Sequence, residues 1–257
     1  MPNNKTIRDW TAHSSLIFEG KVIKTNSSLE PLEIHGPSSA VIEISHLIWS
    51  RPIFAGYTHQ QITGVFSHSN DPDIRPEEPM TIFARSRIMG RTLTADVVGF
   101  EMMEDGKGIR SEIENAIHDM QDDAINRRAD SAVLVIIGKV NAILPFEGHP
   151  KFLSEHDPGW KIAEIGVQSL LKGTHKAKTI KILFASSIDI RWFKSPKLHE
   201  DELKVFLIHE RRDQAGKIAD TAAKLEKAIP ENMLAVVDPL DVLPVDSAPK
   251  LTIHLTR

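Results

Sequence analysis

The sequence predicts a mainly β protein with a few helices, arranged as two tandem small β-barrels joined by an amphipathic helix. Three features of the chain point to it. Its apolar runs are short, β-branched and punctuated by Gly, Pro, Asn and Asp, as in small barrels and sandwiches. Two motifs recur in register: Gly-Lys-Val at 20–22 and 138–140, and Phe-x-x-Ser-x-Asp at Phe66, Ser69, Asp71 and at Phe184, Ser187, Asp189, both 118 positions apart. Between the copies, apolar residues switch to helical spacing.

The first copy, residues 1–106, opens with the apolar strand Leu16-Ile17-Phe18-Glu19-Gly20-Lys21-Val22. Its counterpart in the second copy, residues 130–257, is Ala132 to Val140. Val41 to Ile44 corresponds to Ala163 to Val167 if the copies distribute their loop residues differently. Met80 to Ala84 then answers Leu203 to Ile208, and Ala95 to Phe100 answers Leu234 to Val237. Each copy therefore holds four or five strands.

A connecting helix is expected over 107–129, with Ile113, Ala116, Ile117, Met120, Ala124 and Ile125 on one face. Ser111-x-x-Glu114 fits a capping box, Arg127 and Arg128 suit the negative end of the helix dipole, and Gly106 and Gly108 mark the boundary before it. A second helix over 214–229, ending at Pro230, places Ile218, Ala222, Leu225 and Ile229 on one side. Both helices are expected to cover an open barrel end or a strand edge. The proline-rich tail from Val237 to Pro244 reads as an extended segment across the second barrel.

Composition narrows the function classes. The chain is ordinary for a globular protein, with 41% hydrophobic and 26% charged residues among 257. A formal charge of -4 and the lack of a Lys/Arg run argue against nucleic acid or an anionic membrane as partner. A single Tyr leaves little for base stacking. With no cysteine, disulfides, thiolate metal sites and cysteine nucleophiles are excluded, which leans towards a reducing, cytoplasmic setting. The first residues show no signal peptide, and no uncharged apolar run has the length of a membrane span.

The second copy resembles the netrin-like, or tissue-inhibitor-of-metalloproteinase, version of the OB barrel. The likeness lies in Ala129-Asp130 leading into a strand that ends Gly138-Lys139-Val140. It continues in Ile165 to Gly173, which closes on Leu171-Lys172-Gly173, and in the alternating strand Thr179 to Phe184. It covers less than a third of the chain. The resemblance implies two OB-like barrels in tandem. Those inhibitors chelate the protease zinc through an N-terminal cysteine, and this chain has none, so their mechanism is carried over to no residue.

Candidate site residues gather in the loops of the second copy. Ser154-Glu155-His156-Asp157-Pro158-Gly159-Trp160 turns sharply at Pro158-Gly159, and Ser186-Ser187-Ile188-Asp189-Ile190-Arg191-Trp192 follows about thirty residues later. His156, Asp157, Trp160, Asp189 and Trp192 are the candidate binding residues. With Glu155 and His199, the carboxylates and imidazoles suit an oxygen-and-nitrogen metal site or an acid/base pair. Equally, Asp157 and Asp189 suit turn residues that accept main-chain N–H groups, with the tryptophans as apolar plugs. His46, His59 and His68 show no zinc spacing, and no nucleophile elbow or phosphate-binding glycine motif occurs. No cofactor is implied and no catalytic residue is assigned.

Two functions compete. The first is a non-enzymatic binding or protein-interaction protein that uses the loop rim of the second barrel and contacts another protein or a small ligand. The alternative is a hydrolase, metal-dependent or not, using His156, Asp157 and Asp189.

Overall fold

A computed structural model describes residues 4–29, 39–66, 76–89, 92–103, 109–147, 157–210 and 233–256. The chain divides into two compact units, Met1–Asp122 and Asp123–Arg257.

In the first unit, helix α1 (Asn4–His13) leads into strands β1 (Leu16–Thr25), β2 (Ser39–Ser50), β3 (Gln61–Phe66), β4 (Pro79–Met89) and β5 (Thr92–Met102). They close into a barrel of order β1-β2-β3-β5-β4, in which β4 returns to β1 and the β3–β5 pair alone is parallel. Side chains alternate across each strand. Leu16, Phe18 and Val22 therefore fill the interior with Ile42, Ile62, Phe66 and Ile82, while Ile17 and Phe83 point outward. The outward pair is covered by Ile7 of α1 and by Ile113 in the first turns of helix α2 (Arg110–Ser131). Trp10 packs on Phe83 with ring centroids 5.3 Å apart, and a Cβ at Gly99 of β5 would collide with its indole.

The second unit repeats the plan with β6 (Leu134–Pro145), β7 (Trp160–Lys172), β8 (Thr179–Ala185), β9 (Leu203–Glu210) and β10 (Leu234–Val236). Their order is again first-second-third-fifth-fourth, closed by β9–β10, and the β8–β10 pair is parallel. A short strand, β11 (Val242–Leu243), adds to β9. Ile136, Val140, Ile165, Ile182, Phe184 and Phe206 fill the barrel. Val135, Val205 and Leu207 face out under Ala129 and Ala132, at the end of α2, and under Leu251 of helix α3 (Ala248–Leu255).

The duplication is visible in the hydrogen-bond register. Strand β1 breaks register between Ile17/Phe18, Glu19/Gly20 and Val22/Lys24; β6 does so between Val135/Ile136, Ile137/Gly138 and Val140/Ala142, each 118 positions on. Such irregularities coil a strand around a tight barrel. Both glycines of the Gly-Lys-Val motif sit at the middle break. There a Cβ on Gly20 would meet the Glu43 carbonyl oxygen at 2.5 Å, and one on Gly138 would collide with Ile165.

Several sequence expectations need correcting. The helix does not carry one apolar face for one purpose: Ile113 belongs to the first unit's core, whereas Ala129 belongs to the second's. Its last turns instead repeat α1, since Ile125 and Ala129 stand 118 positions after Ile7 and Thr11. Ser111 lies inside the helix, its hydroxyl donating to Glu112, while Glu114 pairs with Arg110 at 3.3 Å; no capping box forms there. The turns of α2 cover the outer face of a strand pair, not a barrel end or edge. The segment from Val237 to Pro244 is not wholly extended: Pro239–Asp241 form a 3-10 turn before β11, and beyond it the chain enters α3 with Pro249 in the first turn, where a missing N–H costs nothing. The expected helix over 214–229, and Gly106, Gly108, Ser69 and Asp71, lie outside the described residues.

Candidate functional site

The second barrel buries side chains on its outside as well as its inside. Strands β7, β8 and β10 direct Ile162, Leu183, Ala185 and Ala235 outward, opposite their core-facing neighbours. Bare, this would be an apolar sheet face in water. The 186–197 loop folds back over it and sets Trp192 against Trp160, rings 5.4 Å apart and edge to face, both nearly inaccessible. Two buried tryptophans contribute several kcal/mol, on the order of 3 to 5 each if truncated.

The two loops are tied together at their bases. Asp157 Oδ1 accepts the Gly159 N–H at 2.6 Å, and Gly159 holds a positive φ of 58° that suits glycine. The Ser186 hydroxyl donates to the Gly159 carbonyl at 2.5 Å, and the Ser187 N–H donates to the Pro158 carbonyl at 2.9 Å. Within the longer loop, Asp189 N–H donates to Ser187 Oγ, Arg191 N–H to Asp189 Oδ1, Trp192 N–H to the Asp189 carbonyl and Ser195 N–H to the Trp192 carbonyl. Lys197 closes the loop from below, its ammonium donating to the carbonyls of Ala185 at 2.8 Å and Trp192 at 2.9 Å. Burial of that ammonium holds its pKa below the ordinary lysine value.

The structure thus places four of the five candidate residues in bracing roles. Trp160 and Trp192 are plugs; Asp157 and Asp189 each accept a main-chain N–H in a turn. His156 and Glu155 lie outside the described residues, and His199 is exposed, its N–H donating to Glu202 Oε2 at 3.3 Å. Among the described residues, no group of three His, Asp or Glu side chains is placed to hold a metal ion.

What the braced loop presents to solvent is different. Ile188 is 87% exposed, Ile190 86% and Phe193 71%. Beside them, Lys194 and Lys197 open onto a groove of about 340 Å³ that continues past Glu202 and Lys204 to Val242, Leu243 and Pro244. The sequence analysis places Ile188 and Ile190 in a loop chosen for its polar residues and its tryptophan, and assigns neither them nor Phe193 a role. The overlooked signal was a cluster of large apolar residues between Ser187 and Pro196, in a segment with turn residues at both ends.

A second polar cluster lies deep in the same unit. Asp241, fully buried, accepts Arg128 Nε at 2.6 Å on one oxygen and the N–H groups of Val237 and Asp238 at 2.7 and 2.8 Å on the other; His209 Nε2 stands 3.5 Å away. With no solvent access it is a clasp between α2, β9 and the C-terminal segment.

Among the described residues, no helix is long and apolar enough to cross a membrane. The chain matches no known family model and no curated protein.

Proposed function

We infer that the protein is a non-enzymatic binding module whose contact surface is the 186–197 loop of the second barrel. One observation carries this: three large apolar side chains stand in solvent on a loop whose own base is braced by two tryptophans and a lysine. Exposed apolar residues scattered singly need no explanation, but a cluster on a pre-ordered loop is the usual form of a contact site. The bracing has already removed the loop's conformational freedom, so binding costs little ordering entropy. Hydrolysis by His156, Asp157 and Asp189 is the less favoured reading, because one oxygen of each carboxylate already accepts a main-chain N–H within its own turn.

The strand order, with its parallel third-to-fifth pair, favours reading both barrels as OB barrels. The likeness to netrin-like domains extends to that barrel alone, since the chain has no cysteine for their inhibitory chemistry. A cytoplasmic setting belongs to the same proposal, on the same lack of cysteine.

The test is a photo-crosslinking side chain placed at Phe193 and, as control, at the exposed Lys178, in living cells. Adducts at 193 but not at 178 are expected. Equal labelling, or none at 193, would remove the loop as contact surface.

A further inference from the structure

We propose that the partner of this loop is an anionic lipid surface. Ile188, Ile190 and Phe193 enter the boundary between headgroups and acyl chains, and Lys194 and Lys204 on the adjoining groove hold lipid phosphates. The proposal rests on the 186–197 loop being the contact surface and names what it contacts.

Exposures of this size belong to side chains that stand out from the surface rather than line a cleft. A stable protein interface takes about 800 Å² from each partner, of which three exposed side chains supply only a part. A bilayer sets no such minimum, because each side chain that reaches the acyl boundary adds its own transfer free energy.

Entry into a bilayer interface also penalises unpaired main-chain groups. Here the N–H groups of Asp189, Arg191, Trp192 and Ser195 are already satisfied inside the loop. The apolar residues can therefore leave water without stranding those donors.

Charge complements the apolar tip. Between 188 and 197 the loop carries Arg191, Lys194 and Lys197 against Asp189, and the groove is lined by three lysines and one glutamate. The adjoining Glu200-Asp201-Glu202 run is acidic, with Asp201 paired to Lys139 at 2.7 Å, so that Arg191, Lys194, Lys197, Lys204 and Lys139 outweigh Asp189 and these three by one charge. The net charge of -4 averages over the whole chain what this loop concentrates locally. Lysine stems can lie along apolar surface while their ammonium groups stay at headgroup level. Anionic lipid is characteristic of the cytoplasmic leaflet, in keeping with the setting proposed above.

The absence of cysteine allows a clean test on the full chain. An environment-sensitive fluorophore is attached to Ile190→Cys or, as control, to Lys178→Cys, and each protein is mixed with phosphatidylcholine vesicles with or without phosphatidylglycerol. Expected are co-sedimentation with the anionic vesicles, weakening with salt, and a blue shift at position 190 only. Phe193→Ser should cut partitioning by about tenfold, and Lys194→Gln and Lys204→Gln by about fivefold each, all with melting temperature unchanged. No sedimentation with anionic vesicles overturns the proposal, and so does sedimentation with an unshifted label at 190. If vesicles fail while Phe193 still crosslinks to a protein in cells, the bilayer is refuted and the contact surface stands; if both fail, both readings fall.

Discussion

Replacing Asp241 by asparagine tests whether the buried clasp holds the second unit together. The side chain is fully buried and accepts hydrogen bonds from Arg128 Nε and from the N–H groups of Val237 and Asp238. Asparagine matches its size, but its one oxygen cannot serve both sides. Either its amide faces the two main-chain donors or it faces the guanidinium. In both orientations donors meet donors, and Arg128, only 18% exposed, loses the Asp241 carboxylate. Removing one partner of a buried ion pair costs about 3 to 5 kcal/mol. At roughly 3 °C per kcal/mol for a unit of this size, the melting point should fall by about 10 °C. Differential scanning calorimetry of the full chain would show the loss in the second unit's transition and not in the first's. Arg128→Met in the same background should recover part of it, because the charge that lost the carboxylate is then gone. A loss under about 1 kcal/mol, or strict additivity of the two substitutions, would refute the clasp as the source of stability.

Other outcomes follow from the braced loop and from one surface pair. Trp160→Ala should cost on the order of 3 to 5 kcal/mol and expose Trp192, seen as a red shift in tryptophan emission; an unchanged melting curve would contradict the plug. Lys197→Met should cost about 2 kcal/mol and raise amide hydrogen exchange in 186–197 while leaving the barrel strands protected. Asp201 hydrogen-bonds to Lys139, which holds its carboxyl below the ordinary aspartate range. Its charged form is the favoured one in the fold, so this contribution is present at neutral pH and disappears as the pH falls through the lowered value. Carboxyl chemical shifts should show that low midpoint, and Lys139→Met should move it back up; no movement would separate the pair.

Much of the barrel was legible in the chain. The spacing of Gly20 and Gly138, and of Phe66 and Phe184, is the spacing of the strand irregularities themselves, because a coiled strand needs glycine where a neighbour's backbone or side chain comes close. The helices were harder. Ile113 and Ile125 both fit helical spacing, yet periodicity is silent on which core each one joins. Proline content suggested an extended tail over Val237 to Pro244, since Pro239 looks the same at the start of a 3-10 turn as in an extended strand.

In the described residues, 157–160 and 186–197, Asp157, Trp160, Asp189 and Trp192 brace the turns. Asp157 and Asp189 each give one oxygen to a main-chain N–H of their own turn, a contact that residue type alone does not distinguish from chemistry. Neither Arg128 nor Asp241 stood out as a pair, being 113 positions apart with no local pattern to join them.

By itself, then, the sequence determined the doubled unit, its strands and their two-sided alternation, because period and glycine placement are local properties of a chain. Whether Trp192 turns inward and Phe193 outward is not local. That was decided by the apolar outer face of β7, β8 and β10, which accepts one large ring beside Trp160 and leaves Ile188, Ile190 and Phe193 in solvent.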